Sequence, residues 1–223
     1  MICIYIYMEL SHKIGKTKIY KKEQEYELHI KDEVIKQTTM SLFKNDEVYV
    51  KNAGEILMVE KDKLKSLPHF LKYKKNLMEY KDICKLVYDI AYLEKKLREH
   101  SKCIIYFNFD DIIVINEKVF LFLNDEKISE IEDEQLTINF PIDKSLPFLY
   151  PEITMSKSIP IKTSYKASYY SLGLMVLSLL LPEKKDMLVF DEKIKEILYP
   201  TALYWFLIHA LEFTPEKREL IMM

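Results

Sequence analysis

The acidic side chains best placed for chemistry are Asp110, Asp111 and, after a strand-like hairpin, Asp125. Brought together, their oxygens could hold a hard divalent cation. Alternatively, Asp110 and Asp111 cap a tight turn, as aspartate does routinely. Other chemistries lack their residues. His12, His29, His69, His100 and His209 form no HxxxH pair, and Cys3, Cys84 and Cys103 are widely spaced and odd in number, so neither a zinc site nor a disulfide framework is expected. Neither a Gly-x-Ser-x-Gly elbow nor a Walker-type Gly-Lys-Ser/Thr is expected, which argues against serine hydrolase and P-loop chemistry. Lys61, Lys63, Lys65, Lys72, Lys74 and Lys75, with Phe70 and Tyr73 between them, form either an anionic docking patch or a solvated face.

The elements that must position these groups follow from periodicity. Strand-like segments at residues 2–8, 16–22, 48–51 and 55–60 suggest a small antiparallel sheet. Between them, residues 25–43 carry Leu28, Val34, Ile35, Thr38, Leu42 and Phe43 at mostly helical spacing and predict an amphipathic helix. Asn76 and Glu79 make a capping box ahead of the stripe Ile83, Leu86, Val87, Ile90, Leu93 and Leu97. Strands at 112–115 and 119–123 are joined by Asn116-Glu117-Lys118, as in a hairpin. An acidic stretch at 126–135 leads into a loop marked by Pro141, Pro147, Pro151 and Pro160, a suitable contact surface. Helices are predicted at 168–181, 191–198, 201–211 and from 216 to the end.

A length of 223 residues with 49% hydrophobic content suits one compact domain or two small lobes, and a net charge of −2 supplies no field favouring nucleic acid or anionic membrane. The apolar run at 169–181 is shorter than the roughly 20 residues of a membrane span, and the N-terminus lacks a secretory pattern. An intracellular protein is expected, cytoplasmic in a cell or host or carried within a virion. The wealth of Lys, Ile, Tyr and Asn fits an AT-rich genome, such as that of a parasite or large DNA virus.

Three segments in order carry a family likeness. Tyr150-Pro151-Glu152 looks like the Ala-Pro-Glu element that closes a protein-kinase activation segment; Ser168-Tyr169-Tyr170-Ser171-Leu172-Gly173 is similar to Asp-x-Trp-Ser-x-Gly, with Ser168 in place of aspartate; and Leu211 to Arg218 resembles Leu-x-x-Asp-Pro-x-x-Arg. The chain thus resembles a degenerate protein kinase, a pseudokinase. The resemblance implies an α+β, two-lobed fold, with a reduced sheet lobe at residues 1–60 and a helical lobe at 61–223. It also implies a buried pair between Glu152 and Arg218, with Pro151, Ser168 and Gly173 as structural positions.

Measured against the family, the phosphotransfer parts are missing. The chain has only three glycines where average usage predicts about fifteen, so the glycine-rich loop is absent or remodelled. Aligning residues 112–114 with the strand after the catalytic loop puts Ile104 and Ile105 at the His-Arg positions, Tyr106 at the base and Asp111 at the metal-binding Asn. Asn124-Asp125-Glu126 falls at the Asp-Phe-Gly position. The implied function is therefore that of a catalytically inactive scaffold, allosteric partner or structural component, without a cofactor and with another protein as partner. The alternative is a divergent kinase or nucleotide-dependent transferase. It would hold ATP with Lys18 or Lys21 paired to Glu25, Glu27 or Glu33, and magnesium with Asp111 and Asp125.

Overall fold

The structure, a computed structural model, describes residues 9–43, 56–182 and 190–221. Strands β1 (Glu9–Ile14), β2 (Thr17–Lys21) and β3 (Glu25–His29) form an antiparallel meander, and after helix α1 (Glu33–Leu42) the chain returns as β4 (Leu57–Glu60) beside β3. Gly15 makes the β1–β2 turn at φ 58°, a backbone conformation glycine adopts without strain. The helix expected over 25–43 begins only at Glu33. Its first part is β3, because Leu28 packs into the core while its backbone pairs with both Ile19 and Leu57. Asp32 starts α1 by accepting the N–H groups of Val34 and Ile35 at 2.9 and 3.0 Å. The strands expected at 2–8 and 48–51, and Cys3, lie outside the described residues.

The next stretch runs β5 (Leu64–Ser66), α2 (Leu67–Tyr73), α3 (Tyr80–Glu99), β6 (Lys102–Ile104), β7 (Ile112–Ile115) and β8 (Val119–Phe122). Helix α3 carries the predicted stripe, with Ile83, Leu86, Val87, Ile90, Leu93 and Leu97 all buried. Its predicted capping box does not form. Asn76 sits at φ 62° in the preceding turn, and Glu79 is the cap position with no side-chain hydrogen bond. Asp89, buried on α3, accepts the Phe120 N–H at 3.0 Å and so ties the helix to β8.

Beyond them come β9 (Ile128–Glu132), β10 (Gln135–Ile138), α4 (Pro151–Thr154), β11 (Ile161–Ser164), α5 (Ala167–Leu180), α6 (Glu192–Leu198) and α7 (Ala202–Ala210). The acidic stretch read as leading into a loop is in fact a hairpin. Asp133 and Glu134 turn at φ 49° and 61°, and β9–β10 join a sheet of order β11-β10-β9-β6. The third sheet is β5-β7-β8. The helix expected from 216 reduces to one 3₁₀ turn, Pro215–Lys217, followed by extended chain at Arg218.

Among the described residues the fold is thus mixed α+β, with seven α-helices and wholly antiparallel sheets. Helix α5 is apolar on nearly every side and buried accordingly. A main core joins Ile19, Leu28 and Ile35 to Leu86, Phe120, Leu172 and Phe206, and a second gathers Cys103, Ile105, Leu136, Leu149, Tyr150 and Tyr169. No helix among the described residues is long and apolar enough to cross a membrane.

Candidate functional site

The three segments singled out in the sequence meet around Arg218, whose side chain is fully buried. Its guanidinium donates from Nη2 to Glu152 Oε1 at 2.7 Å and from Nη1 to Glu152 Oε2 at 3.4 Å. Nε donates to the Glu212 carbonyl at 2.8 Å and Nη2 to that of Phe213 at 3.1 Å, while the Tyr170 ring lies 4.8 Å away. The planar fork is therefore satisfied on both sides, as a buried guanidinium requires. Pro151 opens α4 and so orients Glu152. Gly173 lets α5 approach α7 closely: a Cβ there would lie 2.7 Å from Leu211 Cδ2.

Ser168 is buried, and its hydroxyl donates to the Tyr165 carbonyl at 3.2 Å. Ser171 fastens the segment 104–107 by accepting the Phe107 N–H at 2.9 Å. Sequence reasoning missed this role, although Ser171 stood inside the quoted motif. Facing Ser168 from α3 is Glu94, another residue the sequence did not single out. It is fully buried, and neither carboxyl oxygen has a hydrogen-bond partner. Burial pushes its pKa up to about 8, offset only in part by the nearby Ser168 hydroxyl, the Arg98 charge and the Ile104 N–H.

The acid site is arranged differently from either expectation. Asp111 is buried at the end of a 3₁₀ turn, Phe109–Asp111, and caps nothing; its carboxylate accepts from Asn124 Nδ2 at 2.6 Å and from Lys127 Nζ at 2.5 Å. Asp110 is exposed and joins no cluster. Asp125 Oδ1 accepts the backbone N–H of Lys16 at 2.7 Å, so the β1–β2 turn is fastened onto the Asn124-Asp125 turn. Thr17 reinforces it by donating to the Leu123 carbonyl at 3.1 Å. Contrary to the expectation that no Gly-Lys-Ser/Thr occurs, Gly15-Lys16-Thr17 spells the last three residues of a phosphate-loop signature. Here they form a hairpin turn, not the strand-to-helix turn that binds phosphate.

Replacing Gly15 by alanine tests this fastening. The turn sits at φ 58°, and the new Cβ would lie 2.5 Å from Asp125 Oδ1 and 2.6 Å from Asn124 Oδ1. Left-handed backbone strain alone costs about 1–2 kcal/mol, and the contact adds to it. Urea unfolding should show at least that loss, whereas Lys16→Ala, which keeps the main-chain donor, should leave stability nearly unchanged.

At the expected base position, Tyr106 is half-buried under the Lys127 ammonium, 4.1 Å from its ring centre. Burial first, then the charges of Asp111 and Asp143, push its phenol above the ordinary range, so it is a poor proton acceptor at neutral pH. Lys18 is exposed on β2 and Lys21 half-exposed. Glu33 does not meet them. It accepts from Gln37 at 3.0 Å and from Lys36 at 3.4 Å on its own helix, and these bonds hold its pKa down. Glu25 is half-exposed in a strand paired with β4, while Glu27 is buried with Lys22 and His29 as partners.

A cleft of about 660 Å³ opens between the first sheet and the β5–α2 corner, with Ile14, Ile19, Tyr26, Leu64 and Ile113 as apolar walls and His12, Lys61, Lys65 and His69 on its rim. The basic run beside it is partly paired, with Lys61, Lys72 and Lys75 left exposed. Lys65 and Lys74 share Glu117 at 2.8 and 3.2 Å, and Phe70 is buried edge-on against Phe120. The Pro-marked loop, by contrast, leaves Phe140, Met155 and Ile159 exposed, while Lys144 pins it by donating to the Thr154 and Ser156 carbonyls.

No known protein-family model matches this chain, and a comparison with curated proteins finds no match either.

Proposed function

We propose that this chain is a degenerate, two-lobed protein kinase-like domain that works by binding another protein and transfers no phosphate. The observation that carries this reading is the internal use of both acids that could have held metal, together with the lack of an acidic base. Asp125 is spent on the Lys16 N–H, Asp111 on Lys127 and Asn124, and position 106 bears a phenol with a raised pKa. The reaction requires metal-held phosphates and a proton acceptor, each free to face the substrate. These residues do not suit magnesium-ATP. Support for the family likeness comes from the convergence of Glu152, Tyr170, Gly173, Leu211 and Arg218. Support for protein binding comes from the exposed Phe140, Met155 and Ile159 on a pinned loop, since apolar side chains held outward suit a partner.

Thermal unfolding with saturating magnesium-ATP tests the proposal. A ligand at one hundred times its Kd adds about 2.7 kcal/mol, which shifts the midpoint of a domain this size by several degrees. The expected midpoint is unchanged. A clear rise that disappears in Asp111→Ala or Asp125→Ala would establish the divergent-transferase alternative instead.

A further inference from the structure

The corner between α6 and α7 turns a cluster of aromatic rings toward solvent. Those of Tyr199 and Trp205 lie 6.5 Å apart and tilted by 59°, and Tyr204 stands nearly perpendicular to both, 5.2 and 5.0 Å away. Tyr199 is 61% exposed and Trp205, the one tryptophan of the chain, 45%, so neither ring has been absorbed into the core. Tyr80, also exposed, joins this corner, because its hydroxyl accepts the Leu203 N–H at 3.4 Å.

Elsewhere the chain supplies such rings with a cation of its own. Lys65 Nζ lies 4.2 Å from the Tyr73 ring centre, Lys85 Nζ 5.6 Å from that of Tyr88 and Lys96 Nζ 5.9 Å from that of Tyr92. Among the described residues no ammonium or guanidinium lies over Tyr199, Tyr204 or Trp205, although indole attracts a cation most strongly of all the rings. The nearby charge has the complementary sign. Glu196, exposed three residues before Tyr199, and Asp82, two residues beyond Tyr80, form no ion pair among the described residues. Lys195 is taken by Glu192 at 2.7 Å and Lys81 by Glu79 at 2.8 Å, which leaves Lys193 as the unpaired cation of α6. A guanidinium is planar and weakly hydrated and stacks on aromatic faces, whereas an ammonium holds its water. We infer that the α6–α7 corner is a second contact surface, receiving an arginine-bearing segment of the partner protein whose guanidinium stacks on Tyr199 and Trp205 beside Glu196. This rests on the protein-binding reading. Failure here strikes this surface alone, whereas stabilisation by magnesium-ATP strikes the reading itself.

Because Trp205 is the only tryptophan, its emission reports on this corner directly. The wild-type chain is excited beyond the tyrosine band and titrated with tetra-arginine, tetra-lysine and tetra-citrulline peptides. Tetra-arginine should give a saturable change in emission. Tetra-citrulline, of nearly the same shape but uncharged, should bind about tenfold more weakly, each exposed cation–ring contact being worth a factor of roughly 2–5. Tetra-lysine should fall between the two. Tyr199→Leu and Glu196→Gln should each weaken tetra-arginine about two- to fivefold, while Glu132→Gln, which removes an exposed acid on β9, should leave it unchanged. No saturable change with tetra-arginine overturns the inference, as does equal binding by tetra-citrulline or tetra-lysine. A loss in Glu132→Gln as large as that in Glu196→Gln overturns it too, because attraction would then come from overall charge. Should Tyr199→Leu fail to fold, the peptide series on wild type and the exposed Glu196→Gln variant decide the matter.

Discussion

Truncation of Glu152 to alanine should cost about 3–5 kcal/mol of folding stability, the range for breaking a buried ion pair from one side. Arg218 has no exposed surface, and the two carbonyls of Glu212 and Phe213 that remain cannot neutralise its charge. Glu152 is 20% exposed, so some water can enter and the loss should fall toward the lower end. That is still a large share of the roughly 5–15 kcal/mol by which domains are stable. Urea unfolding at neutral pH measures it. Two comparisons isolate the cause. The Glu152→Leu/Arg218→Met double variant should lose much less, because no charge is stranded. Lys195→Ala, which breaks the exposed pair with Glu192, should change stability by no more than about 1 kcal/mol.

Glu94→Gln should instead stabilise the protein, increasingly so as the pH rises. With its folded pKa near 8 and an unperturbed value of 4.5, Glu94 keeps its proton in the folded state across an interval where the unfolded chain has lost it. The unfolded state then binds fewer protons than the folded one, so stability falls with pH across that window, by about 1.4 kcal/mol per unit. Glutamine has no proton to lose. The stability difference between variant and wild type should therefore grow by of order 4 kcal/mol between about pH 4 and pH 8.5, with the other titrating groups cancelling. The groups around the carboxyl agree: among the described residues Arg98 is the one cation acting on it, the Ser168 hydroxyl offsets burial only in part, and burial has pushed the Cys103 and Tyr169 groups upward too. A pH-independent difference in urea unfolding would show that Glu94 ionises normally in the folded state.

Legibility in the sequence divides along the range of the interaction. The stripe on α3, the β7–β8 hairpin and the apolar run of α5 were readable because burial of one helix face, strand alternation and continuous apolarity act between near neighbours. Residues 25–29 misled because Leu28 can be counted into a helical stripe or a strand, and only pairing with β2 and β4 decides between them. The β9–β10 hairpin was hidden by its acidity, since Glu130 and Glu132 point to solvent while Leu136 and Ile138 face a core assembled from distant segments.

The site shows the same division more sharply. Glu152 and Arg218 were legible because a planar carboxylate and a guanidinium, both embedded in recognisable motifs, have few better partners than each other. Nothing in a chain with 33 lysines and arginines marks Lys127 as the one that fills the acid site, or Glu94 as the carboxyl left without a partner. By itself, then, the order of amino acids determined where helices and hairpins could form and which charged pair the core would have to satisfy. Only the tertiary structure decided which cation neutralises Asp111 and which turn covers Asp125. Those outcomes depend on distances between segments some 16 to 109 residues apart, and contacts of that kind exist only once the surrounding packing has excluded water and fixed the geometry.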